Sequence, residues 1–245
     1  MSIKRKRYLW SIPVLLLFLS ASALWLAQRR QDNPQSLYIA AVADAATADE
    51  EEIEPLVDLK KDNPMTTWDE RGRVLLLSWH QDPEQYIAGK EICLTNGAIW
   101  TFTDKEIAAW YEKYKTGVTD WDLRLEQLIG LPPDAGYTHV SGFWAYPDDI
   151  VRPAYVTDIT AQMQNEFPAG TDPAFMEWFK ENCRFSYEES AYPWTRLGYT
   201  YDWADNGTEY GLTEFLIKEN AMTEVEFTKT TEEFILWLKQ SDKGE

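Results

Sequence analysis

Near its start the chain carries a run of 20 uncharged residues, Tyr8 to Ala27, framed by Lys4-Arg5-Lys6-Arg7 and Arg29-Arg30. At about 1.5 Å per residue it reaches about 30 Å, the thickness of a hydrocarbon core, and it predicts a membrane helix. Trp10 and Trp25 stand near its ends, where amphipathic rings favour the interface. Four basic residues precede the run and two follow, so the positive-inside bias keeps the N-terminus cytoplasmic. The alternative is a cleaved signal peptide, with Ala21-Ser22-Ala23 at the cleavage site. A signal's apolar region is usually about 7–15 residues, shorter than this one. Both readings export everything that follows.

The pattern then changes twice. Asp32 to Asp58 carries eight acidic residues and no basic one, and its Ala-rich piece Ile39 to Ala48 makes no wide apolar stripe. Residues 31–70 therefore predict a disordered acidic linker with a reach of roughly 35 Å. Beyond it, 71–240 alternates short apolar runs with helical stripes, enough chain for one domain.

Val74 to His80 (VLLLSWH) predicts a strand buried on both faces, and Ala98 to Phe102 predicts a second. Thr103-x-x-Glu106 is a capping box that opens a helix with the stripe Ile107, Trp110, Tyr111, Tyr114, ended by Gly117. Another helix follows from Thr119 to Gly130, and Thr138 to Tyr146 predicts a strand closed by Pro147. Asp172-Pro173 pairs an N-cap with proline at the first helical position, and that helix would bury Phe175, Phe179 and Cys183. The remainder predicts strands at Tyr199 to Trp203, Leu212 to Lys218 and around Val225 and Phe227, with a turn at Asp205-Asn206-Gly207 and a helix from Thr230 to Leu238. No regular βαβ rhythm appears. The expected class is α+β: one mixed domain, mainly antiparallel sheet with several short helices, preceded by the membrane segment (1–30) and the acidic linker.

Charge narrows the partners. From residue 31 onward 17 basic residues face 41 acidic ones, a balance of −24. Such a surface repels nucleic acid and anionic headgroups and suits solubility or a basic protein partner. Export makes the two cysteines meaningful, because a Cys93–Cys183 bond would close a 90-residue loop. Two unrelated buried thiols are the alternative.

Chemical motifs are sparse. His80 and His139 are the two histidines, and neither has a second ligand at zinc spacing. Asp202-x-x-Asp205-Asn206-Gly207-x-Glu209, with Glu214 downstream, fits a calcium loop poorly: Ala204 and Thr213 occupy ligand positions. Asn206-Gly207-Thr208 is formally a glycosylation sequon. No Gly-x-Ser-x-Gly, phosphate loop or cofactor fingerprint is present, so neither metal nor cofactor is expected.

What remains is aromatic: twelve Trp and 13 Tyr. In Tyr192 to Trp203 (YPWTRLGYTYDW) planar rings mix with Arg196 and Asp202, a combination suited to sugars or peptides. Trp194, Arg196, Tyr199 and Asp202 are the candidate binding residues, the first three expected to line a partly open cleft. An aromatic core is the alternative.

That segment, with Tyr210-Gly211-Leu212-Thr213-Glu214-Phe215, resembles an uncharacterised family of bacterial exported proteins. Leu128 to Pro133, Thr138-His139 and Asp149 to Pro153 are similar to the same family's middle, so the resemblance spans most of 73–240. It implies a bacterial source, hence an inner-membrane protein anchored through 8–27 with its body in the periplasm, and it carries no activity. The expected function is an anchored extracytoplasmic domain binding a glycan or protein partner in the envelope. The alternative is an envelope-directed hydrolase with acidic residues as general acid and base.

Overall fold

The computed structural model describes residues 33–241. The membrane segment expected over 8–27 lies outside them; among the described residues no helix is long and apolar enough to cross a membrane.

The apolar run at Val74 becomes β1 (Val74–His80), near the middle of a seven-stranded sheet. Its neighbours are β4 (His139–Ala145) on one side and β3 (Ile99–Thr103) on the other. Beyond β4 come β9 (Met222–Thr230) and β2 (Glu91–Cys93); beyond β3 come β8 (Phe215–Ile217) and β5 (Ile150–Val151). Every pairing is antiparallel. A separate ribbon pairs β6 (Tyr199–Tyr201) with β7 (Tyr210–Thr213). The class is α+β.

Alternation along β1 sends its side chains to two cores. Leu75, Leu77 and Trp79 meet the helices α2 (Asp104–Tyr114), α3 (Trp121–Leu128) and α5 (Thr231–Ser241) through Ile107, Trp110, Leu125, Leu128, Phe234 and Leu238. Val74 and Leu76 face Phe143, Phe215, Ile217 and Val225. The strand is thus covered on both sides, as its unbroken apolar run requires.

Three expectations change. The first concerns the acidic segment, which is no free linker. Pro34–Ala45 forms a helix, α1, capped by the Asn33 side chain with Pro34 in its first turn. Its buried residues are one ring and two alanines, Tyr38, Ala41 and Ala45, too narrow a stripe to read from periodicity. Tyr38 packs edge-on against Trp203 at 5.7 Å, and its hydroxyl donates to the Ala191 carbonyl at 2.6 Å. Farther on, Val57 and Leu59 are buried; the Val57 amide donates to Thr213 Oγ1 (2.9 Å) and the Leu59 amide to the Ile159 carbonyl (3.0 Å). The folded body therefore takes in the chain from 33 onward.

The second concerns the capping box. Thr103 Oγ1 accepts from the Glu106 amide, but the Glu106 carboxylate does not return to Thr103. It accepts instead from the Tyr210 hydroxyl (2.9 Å), the Thr213 amide (3.0 Å) and Thr213 Oγ1 (3.0 Å), joining α2 to β7. The third concerns the cysteines. Both are free: Cys93 is exposed on edge strand β2, and Cys183 is half-buried on α4 (Pro173–Arg184).

Candidate functional site

The four candidate binding residues do not converge. Asp202 is buried and accepts both Arg124 guanidinium nitrogens, at 3.0 and 2.6 Å; it also accepts from the Ala204 amide and the Asn206 side chain. It anchors a turn to α3. Arg196, in the left-handed region at φ 63°, donates to the Ala45 carbonyl at 3.0 Å and so caps the C-terminus of α1. Trp194 and Tyr199 are only 6% and 1% exposed, against the open position expected for them. The Trp194 indole donates to the Pro153 carbonyl (3.1 Å) and its ring lies 4.8 Å from Phe179. The Tyr199 hydroxyl lies 3.2 Å from Glu209 Oε1 and 3.1 Å from the Glu52 carbonyl. Packing of a β-rich half explains much of the cluster, yet Trp194 and Tyr199 also form part of a cavity wall.

That cavity arises from a fork in the sheet. β1 and β3 pair at Leu76↔Thr103 and Leu77↔Phe102, then part. β1 continues to His80 along β4, while the start of β3 follows β8 through Ile99↔Ile217 and Thr101↔Phe215. A space of about 420 Å³ lies between Ser78–His80 and Ala98–Phe102. Ile129–Leu131 beyond α3 and the Tyr192–Trp194 and Tyr199–Tyr201 segments enclose it. Its remaining wall comes from Phe185 and Ser186 in a π-helical turn (Phe185–Glu189) that continues α4. Such turns are a frequent feature of functional sites. Trp100 and Phe185 are exposed large rings within this lining, and Trp100 lies 6.3 Å edge-on from Trp194.

The one carboxylate in the lining is Glu214. The sequence reads Leu212 to Lys218 as one strand, but the strand breaks at Glu214: β7 pairs with β6, and β8 with β3 and β5. Glu214 is 5% exposed, and its amide donates to the Gly198 carbonyl at 3.0 Å. Among the described residues its Oε1 has no hydrogen-bond partner, and no Lys or Arg pairs with it. Burial raises its pKa well above the usual carboxylate value, offset in part by the Trp194 indole. In the sequence this residue figured only downstream of a poorly fitting calcium loop. The available signal was an acidic side chain inside the apolar stretch Gly211-Leu212-Thr213-Glu214-Phe215-Leu216-Ile217.

His80 ends β1 in the same wall. Its Nδ1 accepts from the Asp82 amide (3.2 Å), which leaves Nε2 to donate to Ser141 Oγ (2.7 Å). Ser141 Oγ is in turn 2.6 Å from Thr228 Oγ1. Burial, with the His139 ring 6.4 Å away, lowers the His80 pKa to about 4, so the imidazole is neutral at ordinary pH. The raised pKa values of Tyr86, Tyr137, Tyr199 and Tyr201 keep those hydroxyls neutral as well. No Lys or Arg lines the cavity. Elsewhere Asp44, Glu52 and Glu209 have carboxylate oxygens within 4.8 Å of one another, with Tyr201 donating to Asp44 and Tyr199 to Glu209.

Comparison with family models, with curated proteins and with solved structures finds no match for this chain.

Proposed function

We propose that this chain is a binding domain of the bacterial envelope, held at the inner membrane by residues 8–27, that takes a small ligand or the end of a larger one into the fork between β1 and β3. The supporting observation is the cavity itself: about 420 Å³, walled by Trp79, Trp100, Trp194, Tyr192 and Tyr199, with Oε1 of Glu214 unsatisfied in its lining. Aromatic walls with a small number of placed polar groups characterise ligand sites of this scale. The volume suits a sugar unit or one side chain of a protein partner. The hydrolase reading is weaker, because a two-carboxylate mechanism needs a second acid about 5–10 Å from the first and the lining supplies Glu214 alone.

Tryptophan fluorescence of the full-length chain in a neutral detergent tests this, titrated with glucose, N-acetylglucosamine, choline and short peptides. Saturable quenching by one of them, lost in Trp100→Ala, is the expected result. The absence of saturable change with all of them contradicts the proposal.

A further inference from the structure

We propose that the fork cavity recognises an organic cation, a small amine or quaternary ammonium group, with Glu214 as its counter-ion. This rests on reading the cavity as a ligand site and adds the chemical class of the ligand.

The inference starts from how this fold treats its other buried charges. Asp202 has Arg124 in a two-point pair, and Glu106 has three donors. Glu126 accepts the amides of Asp134 and Ala135 at 3.1 and 2.7 Å. Glu214 is buried like Asp202 and Glu126, yet its Oε1 finds no donor among the described residues and no ion pair forms; Asp104 Oδ1 is also unpartnered, but Asp104 does not line the cavity. A buried carboxyl with one oxygen unpartnered costs stability unless something arrives to satisfy it. The missing partner must be a donor or a positive charge, and it must fit the space between β1 and β3.

The surroundings select among candidates. An anion is disfavoured, because the lining offers no Lys or Arg to hold it. A metal ion is disfavoured: one carboxylate and one histidine already committed to Ser141 and Asp82 fall short of a coordination shell. An organic cation matches both halves of the wall. Its charge meets Glu214, while its alkyl surface meets the rings of Trp100, Trp194 and Tyr192, whose faces attract cations. The acidic balance of the chain beyond residue 31 would concentrate cations at the surface before entry.

Proton balance follows. With the cavity empty, burial keeps the proton on Glu214; a bound cation favours the carboxylate, so binding releases the proton to solvent. Affinity then rises with pH until it passes the Glu214 pKa of the empty cavity.

The test compares choline with its neutral carbon isostere, 3,3-dimethylbutan-1-ol, by tryptophan fluorescence and calorimetry on the full-length chain in neutral detergent. Choline should bind more tightly than the isostere by more than about tenfold. Its affinity should rise with pH, with proton release measurable in buffers of different ionisation enthalpy. Glu214→Gln should lose that preference while still binding the isostere, which shows that the cavity remains folded. Equal binding of the two probes, or choline affinity unchanged in Glu214→Gln, overturns the cation assignment and leaves the cavity reading standing. Failure of these probes together with the sugars and peptides above overturns both.

Discussion

Two buried ionisable side chains, one of them packed on the ring that follows the other in sequence, are treated differently in this fold. Arg152 is 0% exposed, and its guanidinium carbon sits 5.7 Å from the ring of Phe215, the residue next to Glu214. It donates to four carbonyls, those of Val57, Asp158, Ile159 and Ala161, at 2.8–3.2 Å. Burial still lowers its pKa to about 10, which leaves it charged. Glu214, one residue away along the chain from that ring, lines a cavity with Oε1 unpaired. Gly198 links the two. A side chain there would meet Arg152 Cδ at 2.8 Å, and its carbonyl accepts the Glu214 amide. A cation held by four backbone carbonyls is structural, even with its Nε unpartnered among the described residues: it ties residues 57 and 158–161 together. A buried acid with one unpartnered oxygen in a cavity wall is open to a ligand.

The contrast breaks first at Arg152. Arg152→Met should remove roughly 3–5 kcal/mol, because four buried carbonyls lose their donor together. Urea denaturation measures the loss, and limited proteolysis should show residues 46–60 cut earlier than in wild type. Retained stability with an unchanged proteolytic pattern would mean that Arg152 does not hold the acidic segment.

Trp194 is next. Placed among Trp100, Trp178 and Phe179, it should cost the roughly 3–5 kcal/mol of a core aromatic when replaced by Ala. The open position expected from sequence would have cost less, so denaturation of Trp194→Ala separates the two. A loss below about 1 kcal/mol would return the ring to the surface.

Glu214 should behave in the reverse sense. Glu214→Gln should stabilise the protein at neutral pH, by about 1 kcal/mol, because the amide carries no cost of holding a proton that the unfolded chain has lost. The pH dependence has a definite sign. The folded-state pKa is raised, so above the ordinary carboxylate value the folded protein holds a proton that the unfolded chain has lost, and stability falls as pH rises through that window. The advantage of Glu214→Gln should therefore vanish in acid and grow towards neutral pH. A constant difference across pH would contradict the assignment.

His80 gives the opposite slope. Its folded-state pKa is lowered to about 4, so the unfolded chain takes up a proton first and stability falls as pH drops from about 6.5. His80→Gln should flatten that acid limb. An unchanged limb in stability scans would mean that the ring is more solvated than its wall position implies.

These contrasts divide what the sequence made legible from what it hid. Elements written as local pattern were readable: Val74–His80 as a strand covered on both faces, the Ile107, Trp110, Tyr111 stripe, and the Asp172-Pro173 helix start. Features set by distant partners were not. Tyr38, Val57 and Leu59 are sparse apolar positions in an acidic stretch, and their burial depends on Trp203, Thr213 and Ile159. Arg152 gives no local sign that four carbonyls await it. The run Leu212 to Lys218 reads as one strand because apolar periodicity carries no mark of a change of sheet at Glu214. The aromatic cluster was visible as composition, but ring content alone could not separate Trp194 and Tyr199 in the cavity wall from Arg196 and Asp202, which cap and pair elsewhere.

The central claim is that Glu214 is a buried acid awaiting a positive partner. Its most direct test is the Glu214 carboxyl carbon resonance in ¹³C-glutamate-labelled full-length protein, assigned by its loss in Glu214→Gln and followed against pH with and without choline. The account requires a pKa well above the ordinary carboxylate value in the free protein that moves down when choline is present. A carboxyl that titrates at the ordinary value and ignores choline would contradict it.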